Sequence, residues 1–269
     1  MMADESMVRT LAAQVEAIWP QEQALLARYR LAGDCRILDV GCGTGEFSAR
    51  IAGLVPQSMV TGVDVVESSL AIARTRYADV APRLSFEKGD AFHLRFANAS
   101  FDLVVCRHVT QAVPDVDKLL AELLRVTRPG GWVHVLSEDY AMLHMMSGPL
   151  DPDVFWHEGP VNYTAKTGTD ARIGRKTWSL LRQLGVQDLR VDYAIVDTLR
   201  VNRQVFATII TAWRDGYADA LAAHAALGPG VIRQHFNEMI ASILNPEHYA
   251  VWFVPIISGR RDELQQNRS

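Results

Sequence analysis

The chain has 269 residues, enough for one large hydrophobic core with insertions. With 27 Lys and Arg against 31 Asp and Glu it carries a net charge of −4, and no run of basic residues stands out. That argues against a protein whose affinity rests on neutralising nucleic-acid phosphates.

The first residues carry acids where a secretory leader needs bases, and apolar runs such as VWFVPII are too short to span a bilayer. Cys35, Cys42 and Cys106 are odd in number and follow no metal-ligand spacing, so they read as reduced thiols and no metal is expected. A cytoplasmic protein with no membrane partner is the expectation.

Val8, Leu11, Val15 and Ile18 recur at helical spacing. Pro20 then opens a second helix through Leu25, Leu26 and Tyr29 that stops at Gly33, so residues 1–33 are expected to form two cap helices. From Arg36 onward short β-rich runs (RILDV, MVTGVDV, LSFEKGD, FDLVVCRHV, WVHVLSE) alternate with helical ones. Near-continuous apolar strands separated by amphipathic helices predict a mostly parallel, doubly wound α/β sheet with helices on both faces, here over residues 34–138.

Residues 139–170, rich in Met, His, Trp and Pro, are too long for an ordinary loop and read as a lid insertion. Residues 171–197 hold a helix that Asp170 can cap and a sixth strand, 198–245 a helical cap insertion, and 246–260 the last strand of an expected seven. The polar stretch 261–269 reads as a frayed tail. An exposed face of the cap helices offers a surface for a homodimer, which the sequence does not separate from an internal interface.

The stretch LDVGCGTGEF places Gly41, Gly43 and Gly45 between the first strand and its helix, where open α/β sheets bind nucleotide-like ligands. A dinucleotide fingerprint wants its third glycine where Glu46 stands, and the Gly-Lys-Ser/Thr of a P-loop is absent. An acid in the first helical turn disfavours a bound pyrophosphate. A ligand without phosphates suits this loop better.

DVGCGTG resembles the first motif of the class I S-adenosylmethionine-dependent methyltransferases, and GVDVV, GDAF, FDLVVCRHV and LLRVTRPGGWVHV resemble the motifs that follow it. The resemblance implies S-adenosylmethionine as cofactor. Asp39 would lie near its methionine ammonium, with Gly41, Cys42, Gly43 and Gly45 forming the loop around it. Asp64 would accept from the ribose hydroxyls and Val65 would lie on the adenine. Asp90 and Ala91 would meet the adenine edge, Phe92 would cover the ring, and Arg107 would complete the site.

Methyl transfer needs alignment, exclusion of water and, for some acceptors, a base. His108, at the end of the fourth strand, is the first candidate for that base, with Tyr140, His144 and His157 of the lid next. Each has an equally plain reading as a packing or hydrogen-bonding group. The apolar side chains Met142, Met145, Met146, Phe155 and Trp156 are either a pocket wall or the lid's own core.

The reading is transfer to a small, partly apolar metabolite, with oxygen, nitrogen and carbon acceptors all open. An NAD(P)-dependent oxidoreductase is the second reading, because Asp64 suits a ribose there too, and a non-catalytic cofactor-binding regulator is the third.

Overall fold

A computed structural model describes residues 5–146, 148–224 and 227–263. Its sheet contains β1 (Arg36–Val40), β2 (Met59–Asp64), β3 (Leu84–Lys88), β4 (Phe101–Arg107), β5 (Thr127–Leu136), β6 (Leu143–Met145), β7 (Gln187–Asp197) and β8 (Ala250–Arg260). The order is β3-β2-β1-β4-β5-β8-β6, with β7 also on β8. β1 to β5 pair in parallel, and β8 runs antiparallel to β5, β6 and β7.

Alternating residues of the parallel strands feed two cores, which is what burial on both faces demands. Leu38, Val40, Val104 and Cys106 pack with Leu119, Leu120 and Leu123 of α4 (Val116–Val126) and Leu181 of α7 (Gly174–Gln183). On the other face, Ile37, Leu103 and Val105 pack with Phe47 and Ile51 of α2 (Glu46–Leu54) and Leu70 of α3 (Glu67–Arg76). The mostly parallel, helix-flanked sheet is thus as expected, with eight strands instead of seven. The additional strand, β6, forms inside the segment read as a lid, because Leu143–Met145 finds the free edge of β8 beyond the end of β5.

The expectation of two N-terminal helices is corrected: one helix, α1 (Glu5–Ala27), runs through Pro20. A proline inside a helix costs about 3 kcal/mol through a lost hydrogen bond and a ring clash. Contacts beyond it offset that cost. The Gln21 side chain donates to the Ile195 carbonyl at 2.9 Å and accepts from the Ile195 amide at 3.0 Å, covering part of the β7 edge. Glu22 is fully buried against the sheet.

Asp170 does not cap α7, whose first residue is Gly174. Its carboxylate instead accepts from the Arg172 amide at 2.8 Å and from Lys176 at 2.6 Å, closing the turn before that helix. The 139–170 segment also holds α5 (Pro152–Trp156), a π-helical turn (His157–Val161) and α6 (Asn162–Thr167).

α8 (Arg203–His224) and α9 (Pro229–Leu244) bury the stripes Phe206, Ile209, Ile210, Trp213 and Phe236, Met239, Ile243 together with Phe155 and Trp156 in a third core. Those aromatic residues are core, whereas Met145 and Met146 line a separate hollow beside α9. The three cysteines are free and buried. The tail from residue 264 lies outside the described residues.

Candidate active site

A cavity of about 510 Å³ opens above the carboxyl ends of β1, β2, β3 and β4. That is where an open α/β sheet places its ligand. Its walls include Gly41 and Gly43, the run Val63–Val66, Gly89 to Phe92, and Arg107 to Val109, together with Met7 and Leu11 of α1.

The loop after β1 bends sharply enough that Gly41, Gly43 and Gly45 all have left-handed φ, at +77°, +53° and +83°. Only glycine adopts such a run without strain. A Cβ at Gly43 would stand 2.6 Å from Leu11, one at Gly45 2.6 Å from the Phe86 ring, and one at Gly41 would collide with Val109. Gly45 therefore answers to packing, and it does not line the cavity.

Asp64 ties this loop to β2: its two carboxylate oxygens accept from the Gly43 and Val66 amides, each at 2.8 Å. Each oxygen keeps a second lone pair for a ligand hydroxyl. Val65 is 64 % exposed at the rim. Asp90 is exposed and accepts from the Phe92 amide at 2.9 Å, which holds Ala91 and Phe92 on the wall.

Two expected cofactor residues stand behind the wall. Cys42 is buried, packs beside Gly62, and its thiol is pushed well up by burial and by Asp39. Asp39 is buried and accepts from Ser48 Oγ at 2.5 Å; loss of solvent, only partly offset by Ser48 and Arg107, raises its carboxyl to about 6.

Arg107 lines the cavity and joins a buried relay. Its Nε donates to Glu22 Oε1 at 2.9 Å, His134 Nε2 bonds the same oxygen at 3.0 Å, and Tyr29 Oη lies 2.7 Å from His134 Nδ1. Burial by itself would raise Glu22, but Arg107 and His134 override it and bring the carboxyl down to about 2. The guanidinium also lies over Phe47, 4.5 Å from the ring centre, and its Nη2 is buried without a partner. Charge for an anionic ligand group is thus held at the end of β4.

His108 lines the cavity beside Arg107, and its Nδ1 lies 2.5 Å from Glu138 Oε1. The other three expected catalytic residues do not join it. His144 and His157 are exposed on the 139–170 segment and line no part of this cavity. Tyr140 stacks on Trp156 at 5.6 Å and meets Trp213 edge-on, and burial together with the nearby Glu138 holds its hydroxyl proton far more tightly than usual. It can donate a hydrogen bond but is a poor base.

Sequence reasoning gave no role to Glu22 or to Glu138. An acid inside an apolar helical stripe was the available signal for Glu22. Met7 and Leu11 also line the site, and their i, i+4 spacing was legible as one helix face. Among the described residues no cluster of three His, Cys, Asp or Glu is placed to hold a metal ion.

Residues 37–131 match a family model described as a methyltransferase domain. A demethylmenaquinone methyltransferase of Deinococcus radiodurans is 38 % identical over 96 residues, 36 % of this chain and 40 % of that protein. A 27-O-demethylrifamycin SV methyltransferase of Amycolatopsis mediterranei is 41 % identical over 102 residues, 37 % of each chain. The chain thus spans less than half the length of these curated relatives.

Among solved structures, a Haemonchus contortus phosphoethanolamine N-methyltransferase 2 in complex with phosphomonomethylethanolamine and S-adenosylhomocysteine superposes with a TM-score of 0.58 at 22 % identity, over 91 % of this chain and 53 % of that one. The [4+2]-cyclase SpnF does so at 0.59 and 22 %, over 90 % and 81 %. At that identity the likeness is one of fold, and the same fold carries different printed activities. The matched segment carries the glycine loop and the acids at the ends of β2 and β3, so residues 37–131 are similar to a methyltransferase domain over just that part of the chain.

Proposed function

We propose that this chain transfers a methyl group from S-adenosylmethionine to a small, partly apolar acceptor. The observation that carries the reading is the single cavity in which the glycine loop, Asp64, the Asp90 turn, Arg107 and His108 meet at the strand ends. The donor set fits the cofactor. Asp64 has free lone pairs for the ribose hydroxyls, the exposed Asp90 offers a carboxylate to the adenine edge, and the unpartnered Arg107 Nη2 suits the methionine carboxylate.

S-adenosylmethionine supplies an activated methyl group on a sulfonium. The chain's part is to hold both reactants in line, keep water out and accept a proton. Met7 and Leu11 of α1 cover the cavity, and His108 is the base nearest to it. We read residues 5–27, 139–170 and 198–245 as the cap that encloses the acceptor, whose apolar character follows from Val109, Ala112 and Val113 on the wall.

The acidic balance favours a metabolite over nucleic acid, and buried free cysteines favour the cytoplasm. No described helix is long and apolar enough to cross a membrane. An exposed cap face is the surface through which we expect any homodimer to form.

The test is incubation with methyl-labelled S-adenosylmethionine and a metabolite extract. Label should enter a small-molecule product with the wild type and not with Asp64→Ala. Label found only on protein or nucleic acid would overturn the reading.

A further inference from the structure

His108 is the first residue after β4 and has a left-handed φ of +57°. For a residue other than glycine this conformation is strained and persists only where the surroundings enforce it. Here they do. The His108 amide donates to the Leu136 carbonyl at 3.2 Å, and the His108 carbonyl accepts from Gln111 Nε2 at 2.8 Å.

The strained backbone delivers the imidazole to one partner. Glu138 follows the end of β5, is 1 % exposed, and accepts from His108 Nδ1 at 2.5 Å. No lysine or arginine bonds it among the described residues. The adjacent Asp139 takes Arg175 through a two-pronged pair at 2.5 and 3.0 Å, and Gln14 of α1 lies 3.4 Å from the Glu138 oxygen that His108 uses. A carboxylate can only accept, so the proton of a neutral His108 sits on Nδ1 and Nε2 carries the lone pair. That Nε2 is buried, has no partner, and belongs to a side chain lining the cavity. An unpartnered buried acceptor is costly, and such groups are kept where a ligand completes them.

We propose that Glu138 is a positioning residue that holds His108 in its Nδ1–H tautomer, and that the methyl acceptor is a hydroxyl compound on an apolar body, whose proton Nε2 removes. This rests on the function proposed above. The hydroxyl proton passes to Nε2, the freed oxygen pair forms the bond to the methyl carbon, and the carbon–sulfur bond breaks with its electrons left on sulfur. The positive charge moves from sulfonium to imidazolium, beside the Glu138 carboxylate. A thioether or tertiary amine has no proton to give and makes no use of this pair. A protonated amine would want a carboxylate on the wall near His108, where Met7, Leu11, Val109, Ala112 and Val113 stand instead.

The experiment is long-range proton–nitrogen NMR of the histidine side chains at neutral pH with S-adenosylhomocysteine present, and His108→Ala assigns the His108 signals by their loss. The wild type should show His108 as the Nδ1–H tautomer. Glu138→Leu, which has no acceptor, should show mixed tautomers, and Glu138→Gln, whose amide oxygen still accepts, should restore the wild-type pattern. Calorimetry should find S-adenosylhomocysteine affinity within about twofold of wild type in both variants.

A wild-type His108 protonated on Nε2 would overturn the proposal, even if Glu138→Leu fails to fold. An unchanged tautomer in a folded Glu138→Leu would do so too, as would loss of S-adenosylhomocysteine binding in Glu138→Gln, since the carboxylate would then serve the cofactor site. Failure of the wild type to bind S-adenosylhomocysteine would remove the proposed function while leaving the tautomer result readable.

Discussion

Asp39 sits at a conflict between solubility of charge and use of charge. Its carboxyl is buried on β1 and accepts from Ser48, the one hydrogen-bond donor to it among the described residues, and its folded-state value of about 6 lies above the usual 3.8. A raised acid favours the neutral form in the folded state, so its contribution is complete below about pH 4 and is lost as pH rises through 6. Asp39→Asn keeps a partner for Ser48 and removes the buried charge. We expect urea melts to show the variant more stable by on the order of 2–3 kcal/mol at pH 7, with the difference gone near pH 4. Equal stability at both pH values would mean the carboxylate is already compensated.

His108 answers to the chemistry instead. His108→Ala should leave S-adenosylhomocysteine affinity within about twofold and lower methyl transfer by roughly 10²–10⁴, the usual share of a general base. An unchanged rate would assign proton removal elsewhere. Of the residues the sequence nominated as bases, only His108 reaches the cavity. His144 and His157 carried the right chemistry, but nothing in composition or spacing says which way the 139–170 segment faces.

At the scale of elements, α1 decides whether the site is closed and charged. Its first half supplies Met7 and Leu11 to the cavity, and its second half is fixed by Glu22 in the relay of Arg107, His134 and Tyr29. Removing one partner of a buried ion pair strands the other, so Glu22→Ala should cost about 3–5 kcal/mol in chemical denaturation. A loss below about 1 kcal/mol would mean Arg107 finds another partner. The Glu22 carboxyl is lowered from 4.5 to about 2, so the stability it contributes is present above pH 4.5 and lost as pH falls through 2.

This helix also shows why part of the fold was not legible. Pro20 is a sound stop signal when only local terms act, and the sequence reading placed a break there. The pairing of Gln21 with Ile195, 174 residues away, and the burial of Glu22 are long-range terms that no window around Pro20 contains. Likewise, Leu143–Met145 becomes β6 only because β8 reaches past β5 and leaves an edge to pair with.

Across the whole molecule, the parallel half was readable because its determinants are local. Strand, turn and helix signals repeat from Arg36 to Leu136, and the cavity-lining acids Asp64 and Asp90 fall at the end of β2 and just after β3, where topology puts ligands. The cap was readable as apolar stripes and not as an arrangement, since Phe206, Trp213 and Phe236 satisfy a core equally well from several directions. If the cavity is the cofactor site, ligand binding should stabilise the entire chain. At a hundredfold excess over Kd the gain is about 2.7 kcal/mol, visible as a higher unfolding midpoint. A midpoint unmoved by S-adenosylhomocysteine at millimolar concentration would place the ligand elsewhere.

The most direct test of the central claim is isothermal calorimetry of S-adenosylhomocysteine with the wild type and Asp64→Ala. Our account predicts one site per chain in the wild type and an affinity at least tenfold weaker in the variant, corresponding to about 1.4 kcal/mol or more for the two ribose hydrogen bonds. Equal affinity in the two proteins, or binding of NADH in place of S-adenosylhomocysteine, would contradict it.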